Sequence, residues 1–164
     1  MLKTLQTNEG RDGAVDGIVR PNELVIDSDY CERAIQLIKS AASEIRLCAY
    51  AWKWYDTEPE IGIQQLNVAL IHAMKRGVIV KCLVDSEALQ TRLRDLGFNA
   101  RAVHPSRMMH SKVISANHDA LIIGSHNLTK RANTVNYEVS IVSYDFEICS
   151  QFNNYFDKMW DSRG

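Results

Sequence analysis

His110-Ser111-Lys112-Val113-Ile114-Ser115-Ala116-Asn117-His118-Asp119-Ala120-Leu121-Ile122-Ile123-Gly124-Ser125-His126-Asn127 is the stretch whose reading decides the fold. Two short apolar runs, Met109 to Ala116 and Ala120 to Gly124, read as strands. They are joined by Asn117-His118-Asp119, residues that tolerate left-handed backbone geometry, so the spacing predicts an antiparallel pair with a tight turn. Side chains two apart on a strand project to one side, which places His110 and Lys112 together. Ser125 and Asn127 close the neighbouring strand after Gly124, where a missing Cβ allows close backbone approach to a ligand. An imidazole, an ammonium, a hydroxyl and a carboxamide gathered in this way are groups that hold a phosphodiester. Lys112 neutralises phosphate charge, Ser125 and Asn127 donate hydrogen bonds to non-bridging oxygens, and a neutral imidazole can attack phosphorus. An imidazole needs orienting, and Glu138 on the next predicted strand is the carboxylate for that task.

Working outward, Glu23 to Ile26 reads as a first strand. Ser28 or Asp29 then caps a helix with Cys31, Ala34, Ile35, Ile38 and Ala42 on its apolar face. Glu44 to Ala51 is a second strand, followed by an aromatic connector from Trp52 to Glu60. A helix carrying Leu66, Leu70, Ala73 and Met74 stops at Gly77. Val78 to Val84 is a β-branched run of the kind covered on both faces. Ser86 to Leu96 is helical and closes at Gly97, and Ala100 to Val103 is a short strand. This alternation predicts an α/β layer structure with parallel strands in its first half. The two strands of the opening stretch and a further strand, Val135 to Ser143, make the sheet mixed. Asp145 caps a last helix with Phe146, Cys149, Phe152, Phe156 and Trp160 on one face.

A chain of 164 residues is one domain with room for a real core. Residues 1–22 are polar and rich in glycine, and read as a flexible or loosely paired arm, a short edge hairpin being the alternative; the domain proper spans 23–164. A net charge of −1 with 24% charged residues argues against a protein coated in positive charge, but a local basic patch suffices to bind phosphate. Cys31, Cys48, Cys82 and Cys149 are scattered, which suits buried thiols in a reducing compartment. No apolar run is long enough for a membrane span and the N-terminus lacks a secretory core, so the expected location is cytoplasmic, away from membranes. His104, His110, His118 and His126 follow no ligand spacing and no cysteine completes them, so neither a metal nor another cofactor is expected. His118 is expected as an exposed turn residue, and His126 either touches substrate or is solvated. Lys130 and Arg131 are expected at the rim of the cleft, with Lys53, Arg101 and Arg107 as further basic candidates. Trp52, Trp54 and Tyr55 suit base stacking, a lipid contact or plain packing.

The stretch resembles the phospholipase D superfamily, whose motif is H-x-K-x4-D-x6-G-S-x-N; His110, Lys112, Gly124, Ser125 and Asn127 fall on it in register, and Glu138 matches the family's downstream acidic residue. Residues 24 to 162 look like the small single-motif bacterial endonucleases of that superfamily. The resemblance implies a mixed β-sheet sandwiched by helices. It also implies phosphodiester hydrolysis through a phosphohistidine, with His110, Lys112 and Glu138 catalytic. Two histidines are needed, one to attack and one to protonate the leaving oxygen, and this chain supplies one. It therefore implies a homodimer with one shared active site, His110 of each copy facing the other across the twofold axis. DNA or RNA is the implied substrate and partner. The motif aspartate is replaced by Asn117, counted with Ser125, Asn127, Lys130 and Arg131 among the substrate-binding groups. That replacement keeps open weakened activity, reliance on Asp119, or an impaired nucleic-acid-binding module. A phosphatidyl hydrolase is the other alternative, with the same chemistry in a different cleft.

Overall fold

The computed structural model describes residues 20–103 and 106–162. The predicted arm lies outside these but for its last three residues, and so does His104. Twelve elements follow in the order β1 (Glu23–Ile26), α1 (Asp29–Ser40), β2 (Glu44–Ala49), α2 (Gly62–Lys75), β3 (Ile79–Val84), α3 (Glu87–Asp95), β4 (Asn99–Ala102), β5 (Val113–Ala116), β6 (Ala120–Gly124), α4 (Lys130–Thr134), β7 (Val139–Ser143) and α5 (Phe146–Asp161). The strands form one mixed sheet in the order β1-β7-β6-β5-β2-β3-β4. Only β2-β3-β4 run parallel; every other pairing is antiparallel.

The local signals explain most boundaries. The Ser86 hydroxyl accepts from Leu89 N–H, and the Asp145 carboxylate from Ile148 N–H, so each caps the first turn of its helix. Gly77 and Gly97 end α2 and α3 with φ of 90° and 91°, a backbone region open to glycine. Asn117 and His118 take positive φ, 52° and 70°, and close the β5–β6 turn.

Helices cover both faces of the sheet. On one side Tyr30, Ala34, Leu37 and Ile38 of α1 and Ile63, Leu66 and Leu70 of α2 join Ile45, Leu47, Val80, Ile114, Ile122 and Val142 in the main core. On the other, Cys149, Phe152 and Phe156 of α5 pack on Cys48, Leu83, Val113 and Leu121.

Five expectations are corrected. β1 joins the far edge, antiparallel to β7, because four residues after a short arm can pair wherever an edge is open. β5 begins at Val113, so His110 and Lys112 lie in the segment leading into it. A one-turn helix, α4, with the Thr129 hydroxyl accepting from Ala132 N–H, takes up the residues before β7. Phe146 is exposed because it sits at the first residue of α5, beyond the sheet the helix covers. Ala42 lies past the end of α1 and is exposed.

Candidate active site

The register brings one end of five strands to a common edge. β2 delivers Tyr50 there, the lead-in to β5 delivers His110 and Lys112, the end of β6 delivers Ser125 and Asn127, the start of β7 delivers Glu138, and the end of β1 delivers Asp27. Lys112 lies opposite Gly124, whose N–H donates to the Lys112 carbonyl at 3.3 Å.

Tyr50 links the two motif side chains. Its ring lies 5.0 Å from that of His110 at an interplanar angle of 59°, and the Lys112 ammonium sits 5.2 Å from its centroid. The Lys112 Nζ also donates to the His110 carbonyl at 2.7 Å. These contacts hold a cation beside an imidazole without neutralising it. Partial burial draws the Lys112 pKa down, while the nearby Glu138 charge opposes that shift. His110 is exposed at the edge of the sheet and free to meet a substrate from outside.

Ser125 and Glu138 are joined directly. The Ser125 hydroxyl hydrogen-bonds a Glu138 carboxylate oxygen, and the other oxygen accepts from Asn136 Nδ2 at 2.9 Å. The expected contact with His110 is thus not made within the chain, because Ser125 stands between β6 and the start of β7. Asn127 Oδ1 is buried and has no hydrogen-bond partner among the described residues. A buried amide oxygen left unused is uncommon, and this one, on a half-buried side chain, stands two residues from Ser125.

Gly124 serves a purpose other than the one its sequence implies. A Cβ there would fall 2.2 Å from Ser140 Oγ and 2.3 Å from the Val139 carbonyl. Its missing side chain therefore makes room for β7. The Ser140 hydroxyl admitted in this way hydrogen-bonds His126 Nδ1 at 2.8 Å. His126 is fully buried, stacked on Tyr30 with centroids 4.4 Å apart, so it neither touches substrate nor meets solvent. Counting faces along β6 reveals why: Ile122, Gly124 and His126 all point toward α1.

Several residues the sequence singles out lie elsewhere. Asn117 sits at the opposite end of β5 from Lys112, away from the edge that gathers His110, Ser125 and Glu138. Its Oδ1 accepts from Ala42 N–H at 2.8 Å, Ser43 N–H at 3.1 Å and the Ser43 hydroxyl at 3.2 Å, and its Nδ2 donates to the Ser40 carbonyl at 3.3 Å. It ties the β5–β6 turn to the α1–β2 connection. His118 is an exposed turn residue beside Glu44, at 3.1 Å. Trp52 is buried and donates to Asn67 Oδ1 at 2.7 Å, which makes it a packing residue. Arg101 stacks on Trp160 at 4.3 Å, on the far side of the sheet. Lys130 and Arg131 start α4; Lys130 pairs with Glu58 at 2.7 Å, and its backbone N–H donates to the Tyr55 hydroxyl at 2.8 Å. Among the described residues no group of three or more His, Cys, Asp or Glu is arranged to hold a metal ion. No described helix is long and apolar enough to cross a membrane. The roles of Tyr50 and Asp27 escaped the sequence reading, since neither belongs to a motif.

Comparison with known proteins gives these observations a context. A family model described as cardiolipin synthase, PLD-like domain, matches residues 34–160. The mouse mitochondrial cardiolipin hydrolase is 27% identical over 135 residues, covering 79% of this chain and 57% of that protein. The mitochondrial cardiolipin hydrolase of Chlamydomonas reinhardtii is 24% identical over 135 residues, covering 79% of this chain and 56% of that one. The chain thus spans about half the length of the curated relatives it matches. Among solved structures, Nuc from Salmonella typhimurium, a phospholipase D family member, superposes with a TM-score of 0.70 at 24% identity, over 86% of this chain and 95% of that one. NucT from Helicobacter pylori superposes with a TM-score of 0.68 at 20% identity, over 87% and 96%. The family model covers most of the sequence, and the fold superposes on a phospholipase D family member: the chain belongs to the phospholipase D superfamily.

Proposed function

We propose that this protein is a metal-independent phosphodiesterase, a nuclease acting on DNA or RNA, whose active site is completed by a second copy of the chain. The observation that carries this reading is the single imidazole, His110, exposed beside Lys112, Ser125 and Asn127 at one edge of the sheet. Attack by the His110 ring nitrogen forms a P–N bond and expels the leaving alkoxide. That oxygen takes its proton from His110 of the partner subunit. Water then attacks phosphorus, gives its proton to the same imidazole and breaks the P–N bond, restoring both histidines. Lys112 offsets the phosphate charge, Ser125 and Asn127 donate to its oxygens, and Glu138 steers an imidazole through its place beside Ser125 and Lys112.

An apolar sheet face next to this edge supports the second copy. Leu24 and Ile26 of β1, Val139 and Ile141 of β7 and Ile123 of β6 share the α5 side by register, yet α5 does not cover them. Leu24 is 62% exposed, Val139 51% and the neighbouring Tyr137 98%. Contiguous aliphatic surface of this kind marks an interface. It adjoins the site itself, since Val139 N–H donates to Ser125 Oγ at 3.1 Å.

The relatives named mitochondrial cardiolipin hydrolase favour a second reading, hydrolysis of a phosphatidyl ester by the same residues. Incubation with single-stranded and duplex DNA, RNA and cardiolipin vesicles in excess EDTA separates the two. The nuclease reading expects nucleic-acid cleavage that persists in EDTA and is abolished in His110→Ala. Headgroup release with nucleic acids intact favours the lipid reading. Loss of all cleavage in EDTA contradicts the phosphohistidine mechanism.

A further inference from the structure

Glu138 is gripped from a part of the chain 111 positions away. Asp27, the residue after β1, has φ of 46°, a left-handed conformation that few residues other than Gly, Asn and Asp adopt readily. In that conformation it makes a two-way clamp. Its carboxylate Oδ1 accepts from Glu138 N–H at 2.7 Å, and its own N–H donates to the Glu138 carbonyl at 3.0 Å. The Asp27 carbonyl is in turn held by His126 Nε2 at 2.9 Å. A carbonyl only accepts, so Nε2 carries the proton, and Nδ1 of the neutral ring accepts from the Ser140 hydroxyl. His126 is locked by that bond and by its stack on Tyr30. A continuous, partly buried chain of bonds therefore runs from the helix α1 side of the sheet to the backbone of Glu138 at its edge.

We propose that Asp27, held in place by His126, is a positioning residue that fixes Glu138 for the reaction at His110. The inference rests on the function proposed above. Asp27 lies outside the motif and His126 fills only the variable position of Gly-Ser-x-Asn, and neither touches His110 or Lys112. Each acts through Glu138: Asp27 by fixing its backbone, His126 by keeping the Asp27 peptide from turning away. Groups that orient a reacting side chain from behind are worth about 10–100-fold when removed.

Asp27→Gly and Asp27→Asn test this. Glycine adopts the same φ without strain and lacks the acceptor, whereas asparagine keeps both the backbone preference and the acceptor oxygen. The measurements are kcat and KM for the cleaved substrate at a temperature where each variant is fully folded, and the carboxyl 13C resonance of Glu138 in labelled protein. We expect Asp27→Gly to lower kcat about 10–100-fold with KM changed less than about threefold, and to move the Glu138 resonance. Asp27→Asn should restore both, and His126→Phe, which keeps the stack and loses the hydrogen bonds, should reproduce the loss in part. An unchanged kcat in Asp27→Gly overturns the proposal, whatever its melting temperature, and so does a fall in kcat with the Glu138 resonance unmoved. If wild-type protein cleaves neither nucleic acid nor lipid, the function proposed above fails, while the resonance still decides whether Asp27 places Glu138: an unmoved resonance refutes the clamp.

Discussion

Replacing Asn117 separates a structural reading of the motif's altered position from a catalytic one. Asn117→Ala removes three accepted hydrogen bonds and one donated bond between the β5–β6 turn and the α1–β2 connection. These groups are partly exposed, so water replaces much of each bond and the low end of the usual range applies, about 0.5 kcal/mol apiece. Alanine must also adopt φ of 52°, which adds about 1 kcal/mol. The expected loss is about 2–3 kcal/mol, or about 5–10 °C in Tm for a domain of this size. Asn117→Asp keeps the acceptor oxygen and loses only the donor to Ser40, so its stability should stay within about 1 kcal/mol of wild type. Four strand residues separate Asn117 from Lys112, a span of five residue steps or about 17 Å, so kcat of either variant should stay within about twofold when fully folded. Thermal unfolding by circular dichroism and the EDTA cleavage assay read these quantities. A tenfold loss of kcat in a fully folded Asn117→Ala would refute the structural reading, and an unchanged Tm would refute the hydrogen-bond account.

Two further outcomes follow from the same packing. Gly124→Ala forces a methyl group to within 2.2–2.4 Å of Ser140 and Val139, which should destabilise the fold by about 1–3 kcal/mol by denaturant titration and disturb β7 at Glu138. Burial holds the His126 pKa below its ordinary 6.5, although the Asp27 carbonyl and the charges of Glu138 and Asp27 oppose this; Tyr30 faces the ring from α1. As pH falls, the unfolded chain takes up that proton first. Stability is therefore complete above pH 6.5 and declines as pH drops toward the lower native value. His126→Gln should flatten the fall of the urea midpoint as pH drops below 6.5 relative to wild type.

The sequence revealed the site better than its surroundings. The H-x-K and Gly-Ser-x-Asn spacings place their residues on neighbouring strand ends because period-two geometry and a turn of left-handed residues leave little choice. Helix ends were legible at Gly77, Gly97, Ser86 and Asp145, where one side chain or one φ sets the boundary. The position of β1 was not legible, since four residues carry no record of which edge they join. The one-turn helix α4 was hidden for a similar reason: Lys130–Thr134 is too short to show a helical period. His126 was misjudged because its neighbours on the motif are functional, although counting faces along β6 would have buried it. Asp27 lies far from the motif in sequence, and only the β1–β7 pairing brings it to Glu138.

In the function proposed above, one chain holds half of an active site. Mixing wild-type protein with an equal amount of His110→Ala, under conditions where subunits exchange, tests it most directly. A shared site needs both histidines, so mixed dimers are inactive and the cleavage rate of the wild-type component in EDTA should fall to about half. An undiminished rate, with sedimentation confirming that exchange occurred, would show that each chain carries a complete site and would contradict the account.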